Sequence, residues 1–201
     1  MKEQKAYSKE PLDQAEYTAK NDRFYSRIAG LYEIGARILP FWQHWLSSSL
    51  AYIQGPRVLE ISFGTGYLFG RLASRYEAYG IDYNERFVKM VADRLVRKTL
   101  PANICRGKVE ALPYPSECFD SIVNTMAFTG YPDSTKAMSE MHRVLKRGGR
   151  LIIVDVNYPK DLNRFGRALT RFYMAIGDIV RDMSRLFGEF DFEATDQEIG
   201  A

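Results

Sequence analysis

Only two cysteines, Cys105 and Cys118, occur in 201 residues, and neither stands in a CxxC pair or beside a histidine. That spacing argues against a disulfide framework or a zinc knuckle, and a reducing cytoplasm is the expected compartment. Histidine is equally scarce, with His44 and His142 alone, so no metal site is expected. No window approaches the roughly 18 consecutive apolar residues of a membrane span. Residues 1–20 are charged and lack the apolar stretch of a secretory signal. Neither sign of charge dominates: 28 Lys plus Arg against 25 Asp plus Glu leave a net charge of +3, too small an excess to point to nucleic acid. Internal repeats and low-complexity linkers are missing as well.

What is there is an ordinary globular composition, 46% hydrophobic, enough for one domain or one domain with a small cap. Residues 1–20 read as a frayed or loosely helical leader. From Asn21-Asp22 the apolar residues recur at three- and four-residue steps up to Pro40, and a second helix is expected over 41–53, closed by Gly55-Pro56. The expected division is a helical cap over 1–55 and a main domain over 56–201. From Arg57 onward strand and helix alternate. Strands are expected at 57–61, 77–81, 104–105, 119–124 and 150–156, and helices at 67–75, 84–98 and 134–146, the last closed by Gly148-Gly149. Such alternation implies an α/β fold, a doubly wound, mainly parallel sheet with helices on both faces. Beyond it, 162–187 carries a helical stripe and 190–195 alternates like one half-buried strand.

The most informative stretch is Val58-Leu59-Glu60-Ile61-Ser62-Phe63-Gly64-Thr65-Gly66. An apolar strand runs into a glycine-bearing turn and then a helix, so bare backbone and unpaired N–H groups face whatever binds there. Glu60 at the strand tip would repel a pyrophosphate and attract the amino group of an amino-acid-like ligand. A nicotinamide-binding G-x-G-x-x-G fits poorly, since those positions hold Ser62, Gly64 and Tyr67.

Four segments in order then resemble class I S-adenosylmethionine-dependent methyltransferases, nearest to the ubiquinone/menaquinone biosynthesis type. They are the turn just quoted, Gly80-Ile81-Asp82-Tyr83-Asn84, Ala111-Leu112-Pro113-Tyr114-Pro115 with Phe119-Asp120, and the run from Met141 through Gly148-Gly149 to Leu151. The resemblance covers residues 57–156. It implies a Rossmann-like sheet that ends in an antiparallel strand pair, of which only 190–195 offers a candidate. It also implies S-adenosylmethionine as cofactor, S-adenosylhomocysteine as product, and a small, apolar or aromatic acceptor.

On this resemblance the cofactor-binding residues are Glu60, Ser62, Gly64, Gly66, Asp82, Tyr83, Lys108, Val109, Glu110, Asn124 and Thr125. Asp82, at the end of the second strand, is placed to accept hydrogen bonds from ribose hydroxyls. Two positions depart from the pattern: Ser62 replaces the first glycine, and Lys108, which cannot accept a hydrogen bond, stands where an acidic residue is common. Tyr25, Tyr32, Phe128 and Tyr131 flank the expected cleft as an apolar acceptor pocket. No triad is evident, and Asp155 and His44 are the candidates for a base. Arg164, Arg167 and Arg171, with Arg181 and Arg185 further on, suggest either a solvated face or an amphipathic basic helix over 162–187 that touches anionic lipid or grips an anionic substrate. A non-catalytic scaffold stays open beside the enzyme at this point. The oligomeric state is not legible.

Overall fold

Five strands in the order β3-β2-β1-β4-β5, all parallel, make the sheet. They are β1 (Arg57–Ile61), β2 (Glu77–Asp82), β3 (Ile104–Arg106), β4 (Phe119–Thr125) and β5 (Leu145–Val154). The structure, a computed structural model, describes residues 7–101, 103–161 and 163–199. Successive strand residues point to opposite faces. Leu59 and Ile122 meet Met138 and Met141 of helix α5 (Ser134–Val144) on one side. Val58 and Val123 meet Phe69 of α3 (Phe69–Leu72) and Phe87 and Val91 of α4 (Glu85–Arg97) on the other. Burial of each such side chain stabilises by about 1.5–3 kcal/mol, which is why the strands read as unbroken apolar runs.

Two helices precede the sheet, α1 (Gln14–Ile38) and α2 (Pro40–Ser48). Pro40 opens α2 at a position where its missing N–H costs nothing. Asn84 ties α1 to the sheet. Its carboxamide oxygen caps α4 by accepting from the Arg86 and Phe87 N–H groups (3.0 and 3.2 Å). Its amide donates to Asp22 Oδ1 and Ser26 Oγ of α1 (2.8 and 2.7 Å).

Several boundaries differ from expectation. Helix α1 begins at Gln14, seven residues before Asn21; residues 1–6 of the leader lie outside the described residues. The helix after the glycine turn shrinks from 67–75 to α3. Gly148-Gly149 does not close a helix. Helix α5 passes directly into β5, and Gly148 (φ +69°) sits inside that strand where its register against β4 shifts. The helix expected over 162–187 is two, α6 (Arg164–Ile176) and α7 (Met183–Gly188). Gly177 at φ +118° ends α6, with the Gly177 and Asp178 N–H groups donating to Met174 and Tyr173. No strand forms over 190–195. Phe190 and Phe192 instead pack on the core and around the His142 ring, with centroids 6.1 and 5.4 Å away. Among the described residues the sheet therefore contains no antiparallel strand.

Candidate active site

The carboxyl ends of β1 and β4 frame a cleft, where open α/β sheets bind their ligands. Its walls are Glu60, Ser62, Gly64 and Thr65 from β1 and its turn, Thr125 and Met126 from β4, and Trp42 and Leu46 from α2.

The turn is held open by several independent ties. Ser62 takes φ +58°, a conformation costing a non-glycine residue roughly 1–2 kcal/mol, which explains the glycine usual at this position. Its hydroxyl offsets part of that cost through a 2.7 Å bond to the Tyr131 hydroxyl, which also accepts from Asn124 Nδ2 at 2.7 Å. Asn124 Nδ2 donates in addition to the Ile61 carbonyl at 3.0 Å. Gly66 (φ +71°) has no room for a side chain, since a Cβ would stand 2.5 Å from a Val91 methyl. Across the turn, Arg94 donates to the Thr65 carbonyl and pairs with Glu33 of α1.

Glu60 is 2% exposed, and its Oε2 has no hydrogen-bond partner. Burial, and then the Asp82 charge, hold its carboxyl well above the usual carboxylate range. An acid so placed lacks a donor or a cation. Asp82 is better supplied. It accepts from the Gly64 and Asn84 N–H groups (both 2.8 Å), yet burial still pushes it up to about 6. Tyr83 follows, its ring flanked by Arg106 and Lys108 at 5.5 and 5.3 Å. Lys108 itself is exposed and precedes a single 3-10 turn, Val109–Ala111, in which Val109 is buried and Glu110 half-buried.

The expected acceptor-pocket residues fare differently. Tyr25 is half-buried on α1, where burial and then the charges of Asp178 and Asp155 raise its phenol. The side chain of Tyr32 lies outside the described residues. Phe128, 1% exposed, and Tyr131, 8% exposed, are core residues rather than open walls. Their rings pack edge to face at 5.6 Å, with the Arg181 guanidinium over the Phe128 ring. Arg181 is likewise no surface residue: it is 8% exposed and donates to the Phe128, Ile179 and Tyr131 carbonyls. It pins the segment after α6 onto the loop after β4.

Of the two candidate bases, His44 is exposed and absent from the cleft wall, which α2 lines with Trp42 and Leu46 instead. Asp155 directly follows β5. Its carboxylate accepts from the Thr129 N–H and hydroxyl (3.0 and 3.1 Å) and from the Val156 N–H (2.7 Å). Burial raises it despite these bonds. Sequence reading missed its neighbour Asp178, which burial and then Asp155 push up to about 6. Two acids 23 positions apart, the second just past a helix-ending glycine, carry no local signal.

Residues 59–153 match a protein family described as "Methyltransferase domain". The chain is 26% identical over 189 residues to the ubiquinone/menaquinone biosynthesis C-methyltransferase UbiE of Geobacter sulfurreducens, covering 87% of this chain and 73% of that one. It is 28% identical to the uncharacterized methyltransferase YdaC of Bacillus subtilis, covering 66% and 77%. A Thermotoga maritima structure, described as a SAM-dependent methyltransferase and possible histamine N-methyltransferase, shares the fold. Its TM-score is 0.72 at 22% identity, with 86% of this chain and 81% of that one covered. The chain thus carries a methyltransferase domain over residues 59–153, and with the parallel sheet and its strand-end cleft these likenesses support a class I S-adenosylmethionine-dependent methyltransferase similar to UbiE.

Proposed function

We propose that the cleft between the β1 turn and the β4 tip holds S-adenosylmethionine, with residues 1–55 as a cap over the 56–201 domain, and that the acceptor is a small apolar or aromatic molecule. The observation that carries this reading is Glu60: a buried carboxyl with an unpartnered oxygen in the cleft wall fits the ammonium of an amino-acid moiety. The other residues fit as well. Gly64 leaves bare backbone in the cleft wall, Gly66 lets the turn close against Val91, and each oxygen of Asp82 accepts one bond, leaving acceptor capacity for ribose hydroxyls. The Tyr83 ring and the turn at Val109 and Glu110 fit an adenine, and Asn124 and Thr125 belong beside the methionine part. When bound, the cofactor supplies an electrophilic methyl on its sulfonium.

The chain's own task is then mostly alignment. Holding two reactants in line supplies on the order of 7–11 kcal/mol in favourable cases. Trp42 and Leu46 close the cleft wall from α2 and limit water. For an acceptor that must lose a proton, the candidate bases are Asp155 and Asp178, which share Thr129 as a hydrogen-bond partner and lie outside the cleft wall formed by the β1 turn and the β4 tip. They face Tyr25 of α1 and Tyr173 of α6, and a carboxyl near 6 suits a base working close to neutrality. The UbiE-type relatives are named as C-methyltransferases of ubiquinone and menaquinone biosynthesis, which favours an aromatic ring as acceptor here. Nucleic acid is not the expected partner, and the cytoplasm is the expected compartment.

Titration calorimetry with S-adenosylmethionine and S-adenosylhomocysteine tests the donor site, and tritiated methyl transfer into the solvent-extracted fraction of a cell lysate tests the acceptor class. Micromolar binding with label in the apolar fraction is expected. Absence of binding would overturn the donor site; label found only in protein or nucleic acid would overturn the acceptor class.

A further inference from the structure

The face of α6 turned away from the protein is apolar and edged with arginine. Phe165, Phe172 and Ile176 are 71%, 59% and 63% exposed, with exposed Ala168 and Ala175 between them. Their helical spacing sets them in one stripe. Thr170 fixes which side looks inward: it is buried, and its hydroxyl bonds the Asn157 and Gly166 carbonyls, both at 2.9 Å. Along one edge of the stripe run Arg164 and Arg171, both exposed, with half-buried Arg167 between them. The 13-residue helix contains no acidic residue.

A surface helix ordinarily turns its polar face to water and its apolar face to the core. Here large apolar side chains are concentrated where water would be, which marks an interaction face. The charge pattern selects the partner. An antiparallel pairing of two copies through this stripe would set arginine edge against arginine edge, and like charges disfavour such a contact. Anionic headgroups neutralise the same edge while the acyl boundary takes the rings. No helix among the described residues is long and apolar enough to cross a membrane, and 13 residues fall well short of the roughly 20 a span needs. A helix lying in the interface plane meets both conditions.

We propose that α6 docks the protein on the surface of an anionic bilayer, with Phe165, Phe172 and Ile176 entering the acyl boundary and Arg164 and Arg171 at the phosphates. The inward side of the helix carries Tyr173 towards Asp155 and Asp178, and the Tyr17 hydroxyl of α1 donates to the Gly177 carbonyl at its end (2.7 Å). One short helix thus joins the docking face to the region proposed for the acceptor, although the docking itself does not depend on that reading.

Vesicle flotation tests it, with phosphatidylcholine alone and with about one-third phosphatidylglycerol added. The full chain is expected to float with the anionic vesicles, and less so as salt rises. F165D/F172D should lower the partition coefficient at least about tenfold. R164E/R171E should lower it by about fivefold or more per arginine and flatten the salt dependence. Circular dichroism and calorimetric affinity for S-adenosylmethionine should be unchanged in both variants, because none of the four side chains lines the cleft. Failure of the wild-type chain to float with anionic vesicles overturns the proposal, as does equal flotation by F165D/F172D. So does a wild-type dimer that this substitution converts to monomer while no vesicle binding is seen, which would make a second copy the occupant.

Discussion

Replacing Glu60 with glutamine should move cofactor affinity and ligand-free stability in opposite directions. The side chain keeps its shape but can no longer ionise, so it imitates the protonated acid. In the folded chain Glu60 is fully buried and its pKa lies well above the ordinary 4.5. The folded state therefore holds a proton that the unfolded state releases as pH rises past 4.5, and stability falls with pH in that window. Each pH unit costs about 1.4 kcal/mol until the folded-state pKa is passed. Glutamine removes this dependence. For a chain of this size about 1 kcal/mol corresponds to 2–4 °C in Tm. The Tm advantage of Glu60→Gln should thus grow by about 3–5 °C between about pH 5 and about pH 6. Meanwhile a buried carboxylate–ammonium pair loses its charge, which costs roughly 3–5 kcal/mol, so affinity for S-adenosylmethionine should drop at least about a hundredfold at neutral pH. Scanning calorimetry across pH, with titration calorimetry beside it, reads both quantities. A Tm difference that is flat with pH would refute the burial argument, and unchanged affinity would refute the assignment of Glu60 to the ammonium.

Asp82, pushed up to about 6 from 3.8, should contribute a similar term. Its stabilising contribution is complete below about 3.8, lost as pH rises to about 6, and amounts to on the order of 3 kcal/mol. Asp82→Asn should flatten that part of the stability–pH curve measured by urea unfolding. Tyr131→Phe removes the hydroxyl that both Ser62 Oγ and Asn124 Nδ2 reach at 2.7 Å. It should cost about 1–2 kcal/mol in urea unfolding and weaken cofactor binding, because Ser62 keeps its strained backbone without the bond that held it. Arg181→Met leaves the Ile179 and Tyr131 carbonyls without the guanidinium that donates to them and the Phe128 carbonyl with the Tyr131 N–H alone. A loss of about 3 kcal/mol or more in chemical denaturation is expected, with hydrogen exchange rising first in the segment after α6.

The legible parts of the fold were those where one local force decides. Val58, Leu59 and Ile61 are buried from both sides by the sheet, so their apolar run announced a central strand. Asn84 announced a helix start because its side chain accepts from two N–H groups of the helix's first turn. The tail was misread for the opposite reason. Residues 190–195 alternate as a strand does, but a strand needs a partner edge. Phe190 and Phe192 instead find the Phe187 and His142 rings nearby, and ring packing satisfies the same alternation without a ladder. The single helix expected over 162–187 broke at Gly177, whose left-handed backbone the apolar periodicity cannot register.

At the site the same division holds, and it separates donor from acceptor. The proposed donor side is built from residues at strand tips, so Glu60, Ser62, Gly64 and Asp82 could be named from the motifs that carry the resemblance. Serine at 62 looked like a weakness in that pattern, and its meaning required the third dimension. Its hydroxyl reaches Tyr131, 69 residues away, and converts a glycine position into an anchored one. The proposed acceptor side has no such continuity. Asp155 and Asp178 share Thr129 as a hydrogen-bond partner, and their charges reach Tyr25 and Tyr173, in a region where Arg181 holds the segment after α6 on the β4 loop and Tyr17 of α1 bonds the end of α6. Each of those side chains sits in a segment whose own pattern is fully explained by a cap, a helix stripe or a turn. An acceptor pocket assembled from such residues can change its chemistry without disturbing the strand tips. A chain can therefore share the donor turn of its relatives and still differ from them in what it methylates.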